Sequence, residues 1–272
     1  MLAQSMIEVC DLTEKNVEDI ATFCGRYKSN GSPSEAKNEF FMQGEERKKK
    51  VLLRKLKRGG RGKIAYKENK PVGFIEYYPI EDAPLNIVGK DIAIIPCMNV
   101  KFDERKKGIG GKLIRACIED ARNMRRKGVA VRATDWQDFM PRTFFEKYGF
   151  TNVTKSGPIN ILMIKYEEVE NPRWLTLSYK QKPSDGKLII DIFHNDQCPF
   201  DWQNSERVKK IASEFAERAE VNDFDTNKRE NILKYGTLGA IIVNGEYLGV
   251  GPPLSEEDIR KTFQERLKTT SP

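Results

Sequence analysis

The sequence predicts an α/β (α+β) chain of two units: an N-terminal mixed sheet flanked by helices, and a smaller C-terminal unit of order βαβαββα. Three observations carry that reading. Asp91–Val100 is apolar and β-branched, as in a buried central strand. It leads through a glycine-bearing loop into a helix whose apolar residues Leu113, Ile114, Cys117, Ile118 and Ala121 recur at helical spacing. Glu167–Pro172 is polar and closes on a breaker, which sets a boundary near residue 170 and gives units 1–168 and 172–270. The charge changes sign there: residues 1–168 carry 32 basic and 23 acidic side chains, a balance of +9, and residues 169–272 carry 15 and 17, a balance of −2.

Met6–Leu12 reads as a strand, followed by a helix capped by Thr13 with Val17, Ile20, Ala21 and Cys24 inward. Ser32-Pro33-Ser34-Glu35 combines a capping box with proline at the first helical position, and only Gly44 interrupts the pattern before Gly59-Gly60. Lys63–Tyr66 and Val72–Tyr78 pair as a hairpin through Glu68–Pro71. Pro96 removes a ladder donor from the central strand, so a bulge or splay is expected over Pro96–Asn99. Val129–Ala133 is another strand, Pro141–Tyr148 a short helix ended by Gly149, and Phe150–Tyr166 two strands around Ser156–Pro158. In the second unit Lys187–Phe193 and Val221–Asp225 are strands, and Ser205–Ala219 and Lys228–Lys234 are helices. Ala240–Val243 and Glu246–Leu248 form a hairpin through Asn244-Gly245, and Ser255–Leu267 is a helix opened by a Ser255–Asp258 capping box.

Composition excludes several classes. With 39% hydrophobic and 32% charged residues the chain is neither disordered nor collagen-like. No stretch approaches the roughly 18 apolar residues of a membrane span, and the start lacks a basic segment followed by an apolar one, so neither membrane insertion nor secretion is expected. The cysteines at 10, 24, 97, 117 and 198 are odd in number and form no C-x-x-C pair, which fits a reducing cytoplasm better than a disulfide framework or zinc ribbon. His194 is the single histidine, so no metal site is expected and only one place exists for a Ser-His or Cys-His unit. Oligomeric state has no signature in the sequence.

Arg105-Lys-Lys-Gly-Ile-Gly-Gly111 places glycines directly before a helix N-terminus, where unpaired N–H groups and partial positive charge suit a pyrophosphate. The loop lacks the Lys-Ser/Thr ending of a P-loop and is shorter than a dinucleotide fingerprint. In its setting between a bulge-prone strand and a long helix, Arg105-x-x-Gly108-x-Gly110 resembles motif A of the GNAT N-acetyltransferase superfamily. Thr143-Phe-Phe-Glu-Lys-Tyr-Gly-Phe150 resembles that family's downstream helix ending in Gly-Phe. The likeness covers roughly residues 6–166.

That resemblance implies acetyl-CoA as co-substrate. Its pyrophosphate would rest on the amides of Lys106, Lys107, Gly108, Ile109, Gly110 and Gly111, with Arg105, Lys107 and Lys112 adding charge. The pantetheine arm would pair with Met98, Asn99 and Val100, whose backbone also supplies the N–H that polarises the thioester. The family often has Asn and Tyr on the cofactor side of its second motif, and Asp138 and Phe145 stand there instead. Phe145 cannot protonate a thiolate, and Tyr148 is offered as substitute acid, against a packing residue in the place before Gly149. Glu76, beside Tyr77 and Tyr78, is the carboxylate offered as general base, against a solvent-facing strand position. Cys97 is read as a core residue in preference to an acetyl carrier. The expected activity is acetyl transfer to a primary amine, on a small molecule or a peptide, by direct attack in a ternary complex. The rivals are a catalytically silent CoA-binding or interaction protein, or a thiol-active protein working through Cys198.

Arg47–Lys63 has ten basic residues in seventeen, interrupted by Val51, Leu52, Leu53 and Leu56. A charged outer helix face, attraction of an acidic acceptor and nucleic-acid binding all fit. Nucleic acid is the weakest of the three, because no aromatic residue is interleaved for stacking.

The second half resembles a thioredoxin-like domain, specifically the C-terminal domain of YoaP-like acetyltransferases, through Phe193-His-Asn-Asp-Gln-Cys198-Pro-Phe-Asp201. Asp201 stands where a second cysteine would be, and Gly236-Thr-Leu-Gly239 has no proline where thioredoxins carry one. The resemblance therefore implies a unit that packs on the first and shapes the acceptor side without disulfide exchange.

Overall fold

In the computed structural model, residues 6–24, 39–183, 185–248 and 254–269 are described. Contacts divide the chain into a first unit, residues 1–35, 52–83 and 87–174, and a second, residues 36–51, 84–86 and 175–272.

The first unit holds a seven-stranded sheet. Its strands are β1 (Ile7–Asp11), β2 (Arg61–Lys67), β3 (Lys70–Pro79), β5 (Ile92–Val100), β6 (Gly128–Thr134), β7 (Thr151–Ser156) and β8 (Ile159–Lys165), in the order β1-β2-β3-β5-β6-β8-β7. Only β5 and β6 run parallel; every other pair is antiparallel. Between β3 and β5, β4 (Ile87–Val88) pairs with β9 (Arg173–Trp174), a two-residue ladder too short to show in a hydrophobic pattern. The β2–β3 hairpin turns at Glu68 (φ 50°) and Asn69 (φ 60°), both left-handed as a tight hairpin turn requires.

Alternation along the strands divides the core in two. Ile75, Tyr77 and Met98 meet Ile109, Leu113, Ile114 and Cys117 of helix α3 (Ile109–Asn123) on one face. Phe74 and Ile64 meet Val17 and Ile20 of α1 (Val17–Ala21) and Leu52 of α2 (Glu39–Leu56) on the other. Here two sequence expectations change. Thr13 does not cap α1: its N–H donates to Asn16 Oδ1 at 2.7 Å, so the turn is used up before the helix and Asn16 takes the cap position. Gly44 does not interrupt α2. A β-carbon there would stand 2.9 Å from Pro199 Cα and carbonyl oxygen, so the glycine marks a close approach. The Ser32–Glu35 capping box lies outside the described residues. Helix α4 (Arg142–Glu146) follows β6 and ends before Gly149, whose φ of 88° turns the chain into β7.

The second unit has the predicted element order. β10 (Leu188–His194) pairs in parallel with β11 (Ala219–Asp225) and antiparallel with β12 (Ala240–Val243), and β12 pairs with β13 (Glu246–Tyr247). Helices α5 (Pro199–Ser213), α6 (Arg229–Tyr235) and α7 (Glu256–Thr269) complete it. Helix α5 starts six residues before the predicted Ser205, with Pro199 at its first position and Cys198 as N-cap. Gln203, Asn204 and Ser205 are buried, which hid the inward face from an apolar-spacing argument. Ser255 Oγ accepts from Asp258 N–H at 3.0 Å, as the capping box requires. Among the described residues no helix is long and apolar enough to cross a membrane.

Candidate active site

Two neighbouring strands part at the centre of the first sheet. β5 and β6 pair from Ile92↔Gly128 to Ile95↔Val131 and no further. β5 continues to Val100 against β3, while β6 continues to Thr134 against β8. The cause is local: register between β3 and β5 jumps from Glu76↔Cys97 to Tyr78↔Ile94, leaving Ile95 and Pro96 opposite Tyr77 alone. The splay expected at Pro96 is present.

Antiparallel alternation fixes which amides face the wedge. Lys101 N–H donates to Val72 C=O at 2.9 Å on the β3 side, so Val100 and Met98 N–H turn the other way. Val100 N–H is taken by Asn99 Oδ1 at 2.9 Å. Of the three residues singled out in the sequence, Met98 is thus the one that presents its amide to the wedge.

A 3-10 turn over Phe102–Glu104 carries the chain from β5 to α3. Lys106 (φ 62°) and Gly108 (φ 82°) are left-handed, and Gly108 is the α3 N-cap. The first α3 bond is Lys112 N–H to Gly108 C=O at 3.1 Å, which leaves the Ile109, Gly110 and Gly111 amides without helical acceptors. A β-carbon on Gly108 would meet nothing within 4 Å, so the space there is open. Gly110 and Gly111 have a different role: β-carbons there would stand 3.1 Å from the Phe144 ring and against the Tyr148 hydroxyl. The glycines that read as room for a ligand include two that make room for α4 and the residues after it.

The basic residues of the loop are partly committed to the protein. Arg105 Nε donates to Val100 C=O at 3.1 Å and its Nη2 to Asn99 Oδ1 at 3.3 Å, splinting the end of β5. Lys67 and Lys107 both reach Glu104, at 2.8 and 3.2 Å; the Lys67 hydrogen bond first, then Lys107, holds that carboxyl below its ordinary range. Lys112 Nζ reaches Ile7 C=O at 3.3 Å, and Lys106 is exposed.

The second motif is divided. Phe145 is 1% exposed, packed edge-on against Phe144 and Phe150, so it belongs to the core rather than to a ligand-facing surface. Asp138 is exposed in a loop closed at its neck by Thr134, whose N–H donates to Met140 C=O at 2.9 Å and whose hydroxyl bonds Phe139 C=O. Tyr148 packs against Phe144 with its hydroxyl over the first turn of α3.

Glu76 is fully buried, not solvent-facing. It lies opposite Cys97 in the ladder, and Tyr78 Oη donates to its Oε2 at 2.7 Å. Cys97 is partly buried and packs with the α1–α2 side of the core. Sequence reasoning named Tyr78 only as a neighbour. The signal that marks it is Gly60, where a β-carbon would lie 2.7 Å from Tyr78 Cδ1.

Much of the basic stretch is internal. Lys55 and Arg58 meet Asp82 at 3.0 and 3.2 Å, Lys63 meets Asp11 and, at 3.9 Å, Asp120, and Lys48 is 2% exposed. In the second unit Arg47 lies 3.6 Å over the Trp202 ring and bonds Asp196 at 2.8 Å. His194 Nδ1 meets Asp223 at 2.6 Å, and Lys209 meets the same carboxylate at 2.5 Å. Among the described residues no cluster of three or more His, Cys, Asp or Glu is disposed to hold a metal.

Residues 59–152 match the family model of the acetyltransferase (GNAT) domain. Solved structures similar to it include the PaiA N-acetyltransferase of Thermoplasma acidophilum in complex with coenzyme A, at 16% identity and a TM-score of 0.45, covering 59% of this chain and 99% of that one. A GNAT family acetyltransferase of Brucella melitensis in complex with acetyl-CoA follows at 15% and 0.42, covering 62% and 93%. The ribosomal-protein-S18-alanine N-acetyltransferase of Escherichia coli follows at 12% and 0.42, covering 60% and 96%. No curated protein matches the chain.

Proposed function

We propose that this chain transfers an acetyl group from acetyl-CoA to a primary amine by direct attack in a ternary complex. The observation that carries the reading is the parting of β5 and β6 after Ile95 and Val131, with Met98 N–H facing the gap and the free amides of α3 at its end. The α3 amides with Lys106 and Lys112 hold the pyrophosphate, and the edge of β5 that β6 leaves after Ile95 takes the pantetheine arm. Met98 N–H is fixed before reaction and stabilises the oxyanion as the amine nitrogen bonds to the carbonyl carbon. The C–S bond then breaks and CoA leaves as its thiolate. Glu76 takes the proton of the acceptor ammonium through water, and Tyr148 serves the leaving thiolate.

The second unit we assign to the thioredoxin-like class, similar to the YoaP-like C-terminal domain. Its strand order β11-β10-β12-β13, and a cysteine capping the helix after the first strand, support this. With Asp201 three residues after Cys198, it has no dithiol to exchange.

Thermal unfolding with acetyl-CoA at 100 times Kd tests binding, since selective binding there adds about 2.7 kcal/mol of stability. Release of free CoA thiol in the presence of an amine and peptide panel tests transfer. No melting shift at millimolar acetyl-CoA sinks the proposal, and binding without turnover leaves a silent CoA-binding protein.

A further inference from the structure

We propose that Arg132 is a specificity-determining residue that receives a carboxylate on the acceptor, so that the amine acetylated belongs to a small amino acid; this rests on the acetyl transfer proposed above. Arg132 is the first residue of β6 beyond its last pair with β5, Ile95↔Val131, and so stands where the two strands begin to part. Its neighbours Val131 and Ala133 pack with α3, so alternation sends its side chain to the opposite face of the sheet. Glu76 of β3 stands likewise between Ile75 and Tyr77 of the α3 core, and Cys97 of β5 packs on the face away from α3. Arg132 and Glu76 thus share one face, on the strands to either side of β5.

Packing gives this arginine no structural task. The other six residues of β6 are buried, and Arg132 alone is partly exposed. A charge withdrawn from water is ordinarily paired. Among the described residues, however, no hydrogen bond, ion pair or ring contact holds the guanidinium. The nearest acidic residue along the chain, Asp135, is engaged elsewhere: Lys155 lies at 2.8 Å, Arg142 at 3.5 Å, and Asn160 Nδ2 donates to it at 2.9 Å. Opposite Arg132 on β8 stands Ile161, which has no polar group to offer.

A guanidinium is a planar fork of donors that takes a carboxylate in two parallel hydrogen bonds. Its one uncompensated charge matches the single charge of a carboxylate, whereas a phosphate dianion would be only half neutralised. Paired strands lie about 4.8 Å apart, so an acceptor reaching from the β5 edge at Met98 N–H to Arg132 has its amine and carboxylate only a few bonds apart.

The test measures release of CoA thiol from acetyl-CoA by the full chain, Arg132→Gln and Arg132→Lys. Acceptors are glycine and β-alanine, their carboxamides, and phosphoethanolamine, with CoA affinity by calorimetry as a check on the fold. The preference in kcat/KM for carboxylate over carboxamide is expected to be about tenfold greater in the parent than in Arg132→Gln, carried by the acceptor KM, as for one charge-assisted pair. Arg132→Lys, which keeps the charge without the fork, is expected to lose the preference several-fold and is the readout if Arg132→Gln no longer binds CoA. An equal preference in the parent and in a variant that binds CoA as the parent does overturns the inference, and so does better use of phosphoethanolamine than of β-alanine by the parent. No thiol release with any acceptor removes the transfer reading itself and this inference with it, a result distinct from an unchanged preference.

Discussion

The hydroxyl of Tyr148 occupies the space that a β-carbon at position 111 would need, with the ring carbon Cζ 3.2 Å from that point. The start of α3 and Tyr148, two residues beyond α4, are thus fitted to each other through a missing side chain. Gly111→Ala should destabilise the protein by about 1–3 kcal/mol, the usual cost of overpacking. In a Tyr148→Ala background the same change should cost much less. A double-mutant cycle in urea measures the difference, and additive effects would show that the contact is not the cause.

Lys106 offers a cleaner probe of the proposed pyrophosphate site than the loop's glycines do. Gly110→Glu should abolish CoA binding, but its β-carbon also meets Phe144 at 3.1 Å and Met98 at 3.3 Å, so a fall in melting temperature should accompany the loss. Lys106→Glu, on an exposed side chain, should weaken CoA roughly tenfold with stability unchanged, as expected for removing one charge-assisted phosphate contact. Unaltered CoA affinity in calorimetry would place the cofactor elsewhere.

In the proposed ternary mechanism neither Cys97 nor Cys198 carries the acetyl group. Cys97→Ala and Cys198→Ser should each retain acetyl transfer within a few-fold of the parent, and no acetylated enzyme should accumulate in mass spectra of enzyme mixed with acetyl-CoA alone. Loss of transfer in Cys198→Ser with CoA binding preserved would assign the thiol a chemical role.

Asp223 gives the second unit an acid-sensitive stability. Burial pushes its carboxyl upward, but the hydrogen bonds from His194 and then Lys209 outweigh this and bring it to about 2. A carboxyl depressed in the folded state stabilises above its unfolded value of about 3.9, and that contribution is lost as pH falls from about 4 to about 2. The side chain is 39% exposed, so solvent screening reduces the contribution to about 1 kcal/mol. Asp223→Asn should lower stability at pH 7 and flatten its decline between pH 4 and pH 2, as followed by chemical denaturation; an unchanged acid slope would show that the pair contributes nothing.

What was legible in the sequence follows from how local the cause is. Pro96 and the glycines around α3 act within a few residues, so both the splay and the helix start could be read from the chain. The element order of the second unit was legible because Asn244-Gly245 and the Ser255 cap are local signals as well. Glu76 could be named but not placed, because its burial depends on strands β2 and β5 on either side. Phe145 read as a ligand-facing position by likeness, yet its packing against Phe150 depends on how α4 lies on the sheet. The two-residue ladder of β4 with β9, and the membership of residues 36–51 and 84–86 in the second unit, arise from contacts made across long stretches of chain and leave no periodic trace.

Those last segments impose an order on synthesis. Arg47 meets Asp196 across 149 residues, and Leu85 C=O receives Arg229 across 144. At ribosomal rates of about 5–20 residues per second, Arg47 waits on the order of ten seconds before Trp202 and Asp196 exist, as does Phe41 before Phe200, whose ring centroid lies 4.9 Å from its own. A ribosome paused near residue 190 would hold a nascent chain whose second unit lacks most of its body but already displays the helix segment that unit must enclose.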